Sequence, residues 1–200
     1  MPLSPSQSRE ELHTRRIVLR GYQRGDGLFD IEAQLTDTKA NPFSNEDRGR
    51  VEAGEPLHGM WMRLTVDDHM TIVAAEAATD HSPYAACPDA APNFARLAGL
   101  RIRAGFLKEA NARVGGVAGC THLRELLQQM ATVAFQTIGP VRARKHPRAG
   151  EAADGVSSRL LDTCIAYAAD GPLARRRWPH LARPVAGSRP DDAQLEPSAA

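Results

Sequence analysis

The hydrophobic residues of this chain change their spacing once, near Pro92, from a period of two to a period of 3.6. Before that point apolar and polar residues alternate, as in strands whose successive side chains point to opposite faces. After it apolar residues recur at i, i+3, i+4 and i+7, as on one face of a helix. Strands first and helices afterward predict an α+β domain, with an antiparallel sheet of about four strands and the C-terminal helices packed on one of its faces.

In the strand half, Phe29, Ile31, Ala33 and Leu35 alternate with Asp30, Glu32, Gln34 and Thr36. Two extended runs, 15–22 and 28–39, flank Arg24-Gly-Asp-Gly27, a sequence suited to a tight hairpin turn. A second hairpin is predicted from Met60–Val66 and Met70–Thr79 around Asp67-Asp-His69. Met60, Met62, Leu64 and Val66 share one face, and His58 has the same parity, which turns it toward the core. The stretch 40–54, with Pro42 and many charges, reads as a loop or short helix.

In the helical half, short helices are expected at about 93–100 and 105–114, with Gly115 as a stop. Leu123, Leu126, Leu127, Met130, Ala131 and Ala134 form a continuous apolar stripe, which Gly139-Pro140 should end. Leu160, Leu161, Cys164, Ile165 and Ala168 suggest a last helix with Cys164 in the core. A chain of 200 residues suits one domain, placed at 13–180, with a flexible leader at 1–12 and a disordered tail at 183–200.

Lys and Arg number 25 against 24 Asp and Glu, so no field is implied that would steer the protein to nucleic acid. No window approaches the roughly 20 apolar residues that span a bilayer. Three cysteines form neither an even set nor a CxxC pair, and the polar N-terminus has no apolar signal segment; together these favour a cytoplasmic protein.

The richest chemistry is in Gly115-Gly-Val-Ala-Gly-Cys-Thr-His-Leu123, where a glycine-rich turn delivers Cys120 and His122 to the start of the long helix. A helix N-terminus favours anions, so it would favour a thiolate at Cys120. The same residues also read as a small buried cysteine and a helix-end histidine. Cys87, Cys120, His58, Asp80 and His122 are the candidates for a metal, which needs three or four ligands, but no compact spacing ties them together. His58 is the first choice for acid/base work, since imidazole titrates near neutral pH, and Asp80, closing the neighbouring strand, is a second carboxylate for orientation. Asp37 has the apolar parity of its strand, unlike Asp30 and Glu32, and Arg15, Arg16 and Arg63 suit either cross-strand ion pairs or an anionic substrate. No Walker loop, dinucleotide fingerprint, HExxH or GxSxG motif is present, so no nucleotide cofactor is expected.

Seven blocks in order, among them His13-Thr-Arg-Arg16, Asp37-Thr-Lys39, Gly54-Glu-Pro-Leu-His58, Arg63-Leu-Thr-Val-Asp67 and Gly119-Cys-Thr-His-Leu123, resemble a bacterial family known as domain of unknown function 2889, over about residues 12–180. The resemblance implies a catabolic setting for aromatic or acyl compounds. Residues 54–137 are also similar to iron–sulfur scaffold proteins of the NifU/IscU type, with Gly54–His58 at the first ligand segment and Gly119-Cys120 at the late one. That likeness implies a scaffold-type fold with an added N-terminal hairpin, in which only Cys120 keeps its ligand type.

Two functions are therefore expected as alternatives. One is a small enzyme using acid/base chemistry, of lyase or isomerase type, on an aromatic or related catabolic intermediate, with His58, Asp80 and His122 as catalytic residues. The other is a metal or iron–sulfur binding scaffold without turnover, with Cys120 and Cys87 as ligands. A divalent metal is the one cofactor this donor set leaves open. The partner is a small-molecule substrate rather than nucleic acid or membrane, and homo-oligomer formation is left open. His58, Asp80 and Cys120 are expected to converge at one end of the sheet, with His122 at the rim.

Overall fold

A computed structural model describes residues 3–146 and 156–184. The chain divides into two compact units, 1–142 and 143–200, each described by itself.

The first unit is built on a four-stranded antiparallel sheet in the order β1 (His13–Gln23), β2 (Phe29–Lys39), β5 (Pro56–Val66), β6 (Ile72–His81). Between β2 and β5 a small hairpin, β3 (Phe43–Asn45) and β4 (Gly49–Val51), replaces the expected loop or helix. It forms because the Asn45 side chain accepts the backbone N–H groups of Asp47 and Arg48, closing the turn locally. β6 starts two residues later than the apolar pattern suggests, because Met70 sits in the turn at φ 68° while Asp67 Oδ1 accepts the N–H groups of His69 and Thr71.

After β6 comes a 3₁₀ segment, Cys87–Leu97, which starts earlier than the predicted helix and is tightened by Pro88 and Pro92. Helix α1 (Phe106–Val114) follows, and then α2 (Thr121–Lys145). Leu123, Leu126, Leu127, Met130, Ala134 and Ile138 of α2 are buried with the inward residues of β2 and β5 in one cluster. Each such fully buried leucine, isoleucine or methionine contributes on the order of 1.5–3 kcal/mol by leaving water. The α+β architecture, with helices after the sheet and packed against it, is the one the change of period predicts.

Gly139-Pro140 does not end α2, which continues to Lys145. Proline removes the bond to the carbonyl of Gln136, but Gln136 is exposed and its carbonyl can meet water, while Ile138 and Val141 on either side pack on the core. Edge strand β1 lies so close to α2 that a Cβ on Gly21 would come within 2.0 Å of Thr137 Oγ1.

In the second unit the expected helix over 160–168 is absent. Two 3₁₀ turns, Ser158–Leu160 and Ile165–Tyr167, stand in its place, separated by Asp162 at φ 61°. Cys164 is exposed rather than core, and Ile165 is 93 % exposed. A short helix, α3 (Pro172–Arg177), leads to buried Trp178, whose ring centroid is 6.2 Å from that of Tyr167. Residues 3–12 of the expected leader are exposed and without helix or strand; the expected tail beyond residue 184 lies outside the described residues. Among the described residues no helix is long and apolar enough to cross a membrane.

Candidate functional site

On the sheet face beneath α2, residues stack in rungs set by strand register. Leu19, Ala33, Met62 and Ala77 form one rung, and Ile17, Leu35, Met60 and Thr79 form the next. The rung after that is Arg15, Asp37 and His58. The inward face therefore changes from apolar to charged in a single step of two residues at one end of the sheet.

The three side chains of this last rung are joined. Arg15 grips Asp37 in a two-pronged pair, Nε to Oδ1 and a terminal nitrogen to Oδ2, both 2.8 Å. Asp37 Oδ2 is also 2.9 Å from His58 Nδ1, and His13 Nε2 lies 3.5 Å from Asp37 Oδ1. A further nitrogen of Arg15 donates to Glu125 of α2 at 2.6 Å, tying sheet to helix. Asp37 is 1 % exposed and His58 8 %. Burial alone would raise the Asp37 carboxyl, but the Arg15 guanidinium and His58 outweigh it and hold the group below the usual carboxylate range. The same pair raises Arg15. His58 is pushed below the ordinary histidine value by burial and by neighbouring His122, against the pull of Asp37. A neutral His58 with its Nδ1–H held by Asp37 has a free lone pair on Nε2.

His122 comes from the first turn of α2, and its ring centroid is 3.9 Å from that of His58, at an interplanar angle of 35°. What brings it there is the turn before the helix. A Cβ on Gly119 would lie 1.8 Å from the Val114 carbonyl oxygen, so only glycine lets the chain double back and present Cys120 as the residue whose carbonyl accepts the Arg124 N–H. Cys120 Sγ is 3.9 Å from Met60 Sδ, one rung inward from His58. His58, Met60, Cys120 and His122 share a groove of about 810 Å³, whose other walls include Tyr84, Cys87, Asp89 and Val117. The ligand-type atoms of Asp37, His58 and His122 all lie within 4.8 Å of one another.

Of the residues picked from sequence, His58, His122, Cys120 and Cys87 therefore face one groove. Asp80 does not. Thr79 carries the inward parity of β6, so Asp80 is turned to the opposite, open face of the sheet, where its carboxylate accepts the Trp61 indole N–H at 2.8 Å. The carboxylate at the site is Asp37. Its signal was legible as an acid on the apolar parity of β2, and Arg15 was one of three arginines expected either to pair with the acids of that hairpin or to bind an anionic substrate. Glu125 gave no signal, because a charged residue in the first turns of a helix looks like ordinary solvent-facing surface.

This arrangement combines an oriented, neutral imidazole, a second imidazole in contact with it and a thiol at the mouth of a partly apolar groove. Such a group can take or give a proton at Nε2 or bind a cation there. No curated protein and no solved structure significantly matches the chain. Residues 13–136, running from the start of β1 into α2 and taking in Arg15, Asp37, His58 and His122, match the family described as protein of unknown function (DUF2889), and the chain belongs to that family.

Proposed function

We propose that the protein is a small enzyme of acid/base type, a lyase or isomerase, in which His58 moves a proton on a substrate held in the groove. The observation that carries this reading is the buried Asp37 carboxylate on His58 Nδ1, since a carboxylate in that place fixes the tautomer and aims the Nε2 lone pair outward. Arg15 keeps Asp37 ionised, so the carboxylate orients His58 without taking its proton. His122, against the His58 ring, is the group placed to return a proton to the substrate. Met60, Pro83, Ala86, Ala90 and Val117 make much of the wall apolar, and Tyr84 adds an aromatic ring, which suits an aromatic or related catabolic intermediate. Three free cysteines suit a cytoplasmic setting.

The test is proton exchange. Metal-free protein is incubated in D₂O with a panel of aromatic hydroxy, carbonyl and unsaturated compounds, and C–H loss is followed by NMR. Wild type should exchange or convert at least one member, and His58→Gln, shown to be folded by circular dichroism, should not. Turnover that survives in His58→Gln would overturn the assignment.

A second reading, a metal or iron–sulfur scaffold of the NifU/IscU kind, is favoured by one observation: Cys87 and Cys120 line the same groove as both histidines. Iron analysis and an absorption spectrum of protein purified without oxygen test it. An iron-free, colourless protein would remove it.

A further inference from the structure

We propose that the open face of the sheet is a dimer interface, covered by a second copy of this chain about a two-fold axis that runs parallel to the strands, between β2 and β5. His58 and Met60 point to the other face, so the inference is independent of the groove and of turnover.

The outward side chains of this face fall into rungs that cross all four strands. Arg20, Glu32, Arg63 and Glu76 form one rung, and Val18, Gln34, Trp61 and Ala78 form the next. The charged rung alternates in sign from β1 to β6. Arg63, inside it, is paired on both sides, with Glu32 at 2.9 Å and with Glu76 at 3.0 Å. The ends are left over. Among the described residues Arg20 makes no hydrogen bond or ion pair, and neither does Arg16 on the same face of β1. On the opposite edge strand Glu76 is 66 % exposed, and Asp80 uses only Oδ2, on the Trp61 indole. One edge therefore carries unpaired cations and the other carries anions with spare acceptor capacity.

A two-fold axis along the strands reverses strand order and keeps position along each strand. It lays β1 over β6 of the second copy and β2 over its β5. Arg20 then meets Glu76 of the second copy, while Glu32 and Arg63 of both copies close a ring of alternating charge around the axis. Val18 meets Ala78, and Gln34 lies against the indole of Trp61. Arg16, in the rung that ends at His81, comes beside Asp80. An axis across the strands instead places each strand over itself in reverse and sets Arg16 against Arg20, so like charges exclude it. The chosen rotation also maps the saddle of a twisted sheet onto one of the same curvature, so the two faces nest as in an aligned sandwich.

The size and residue types suit a dimer. Four strands about 4.8 Å apart and some 11 residues long at about 3.4 Å each give a face of about 700 Å², close to the roughly 800 Å² each partner contributes to a standard interface. Trp61 and Tyr22 lie on it 41 % and 44 % exposed, with three arginines, the residue types enriched where proteins meet.

The experiment is sedimentation equilibrium of the full-length chain over a micromolar concentration series, where a dimer is expected. Arg20→Glu and Glu76→Arg, each shown to be folded by circular dichroism, should each weaken it at least tenfold, because either change sets two like-charged pairs face to face. Mixed in equal amounts, the two variants should associate to within about threefold of wild type, since every such contact in the mixed pair joins opposite charges. Hydroxyl-radical labelling of unmutated protein gives an independent reading. Trp61 and Tyr22 should be protected at least threefold as the concentration rises through the dimer range, while exposed Tyr84, on the groove, is not. A monomer throughout the series, a dimer indifferent to both reversals, variants that stay apart when mixed, or equal labelling of Trp61 in monomer and dimer would each overturn the proposal.

Discussion

Asp37 and His58 face each other across adjacent strands, buried, with Oδ2 2.9 Å from Nδ1, and Arg15 closes on the same carboxylate from the other side. The pair holds the charged rung of the sheet together. Asp37→Asn leaves a guanidinium and an imidazole without their shared anion. A loss of about 3–5 kcal/mol is expected, read by urea unfolding. The new amide can donate to Nδ1 and so move the proton of His58 to Nε2. Any proton exchange catalysed by His58 should then fall by about 10³–10⁴-fold.

The same rung dictates a pH response. His58 in the folded protein binds its proton less readily than the ordinary histidine value of 6.5 allows, because it is buried and beside His122. As pH falls below 6.5 the unfolded chain takes up the proton first. The stability contributed by this residue is thus complete above 6.5 and is lost on acidification through the folded value. Asp37, held below 3.8 against the effect of its burial by Arg15 and His58, adds a second loss at lower pH. Unfolding curves from pH 8 to pH 3 should show both, and His58→Gln should remove the first. NMR titration should place the His58 ring protons below ordinary histidine, and lower still in Asp37→Asn.

Gly21→Ala tests the approach of β1 to α2. The added methyl meets Thr137 Oγ1 at 2.0 Å and its Cβ and Cγ2 at 2.9 Å, so β1 must shift. A destabilisation of about 1–3 kcal/mol is expected. Thr137→Ala removes two of the three opposing atoms. The double variant should recover part of the loss, and a thermal-melt cycle over the four proteins gives the coupling.

Pro140→Ala should stabilise the protein by about 1–3 kcal/mol, since it restores a backbone N–H at residue 140 that can donate to the Gln136 carbonyl within α2. Circular dichroism with urea unfolding checks it. Unchanged or lower stability would show that the proline is matched to a bend in the helix.

The sheet was readable because Phe29 to Leu35 and Met60 to Val66 carry a buried apolar residue at every second place. His58 could be aimed inward on the same ground, and Asp37 carried that signal too. Asp80 was misplaced because its position at a strand end looked like a cleft, whereas parity with Glu76 and Ala78 sends it to the open face beside Trp61. The last helix failed for a different reason. Leu160, Leu161, Cys164 and Ile165 have helical spacing, but the Asp162 side chain accepts the Ala169 N–H and its backbone turns left-handed, contacts that spacing does not encode. The meeting of Arg15 with Glu125 was invisible, since nothing in a linear pattern joins residues 110 positions apart.

That separation governs when the site comes into being. Arg15, Asp37 and His58 enter the chain early, but the helix that supplies His122 and Glu125 follows more than sixty residues after His58. Contacts that close such long loops lose much chain entropy before they return any energy, and they form late. On a ribosome, the sheet can pair while the groove still has no roof. A truncated or stalled chain that stops short of residue 121 carries Arg15, Asp37 and His58 yet lacks the helix that encloses them. The groove is complete only when folding is finished.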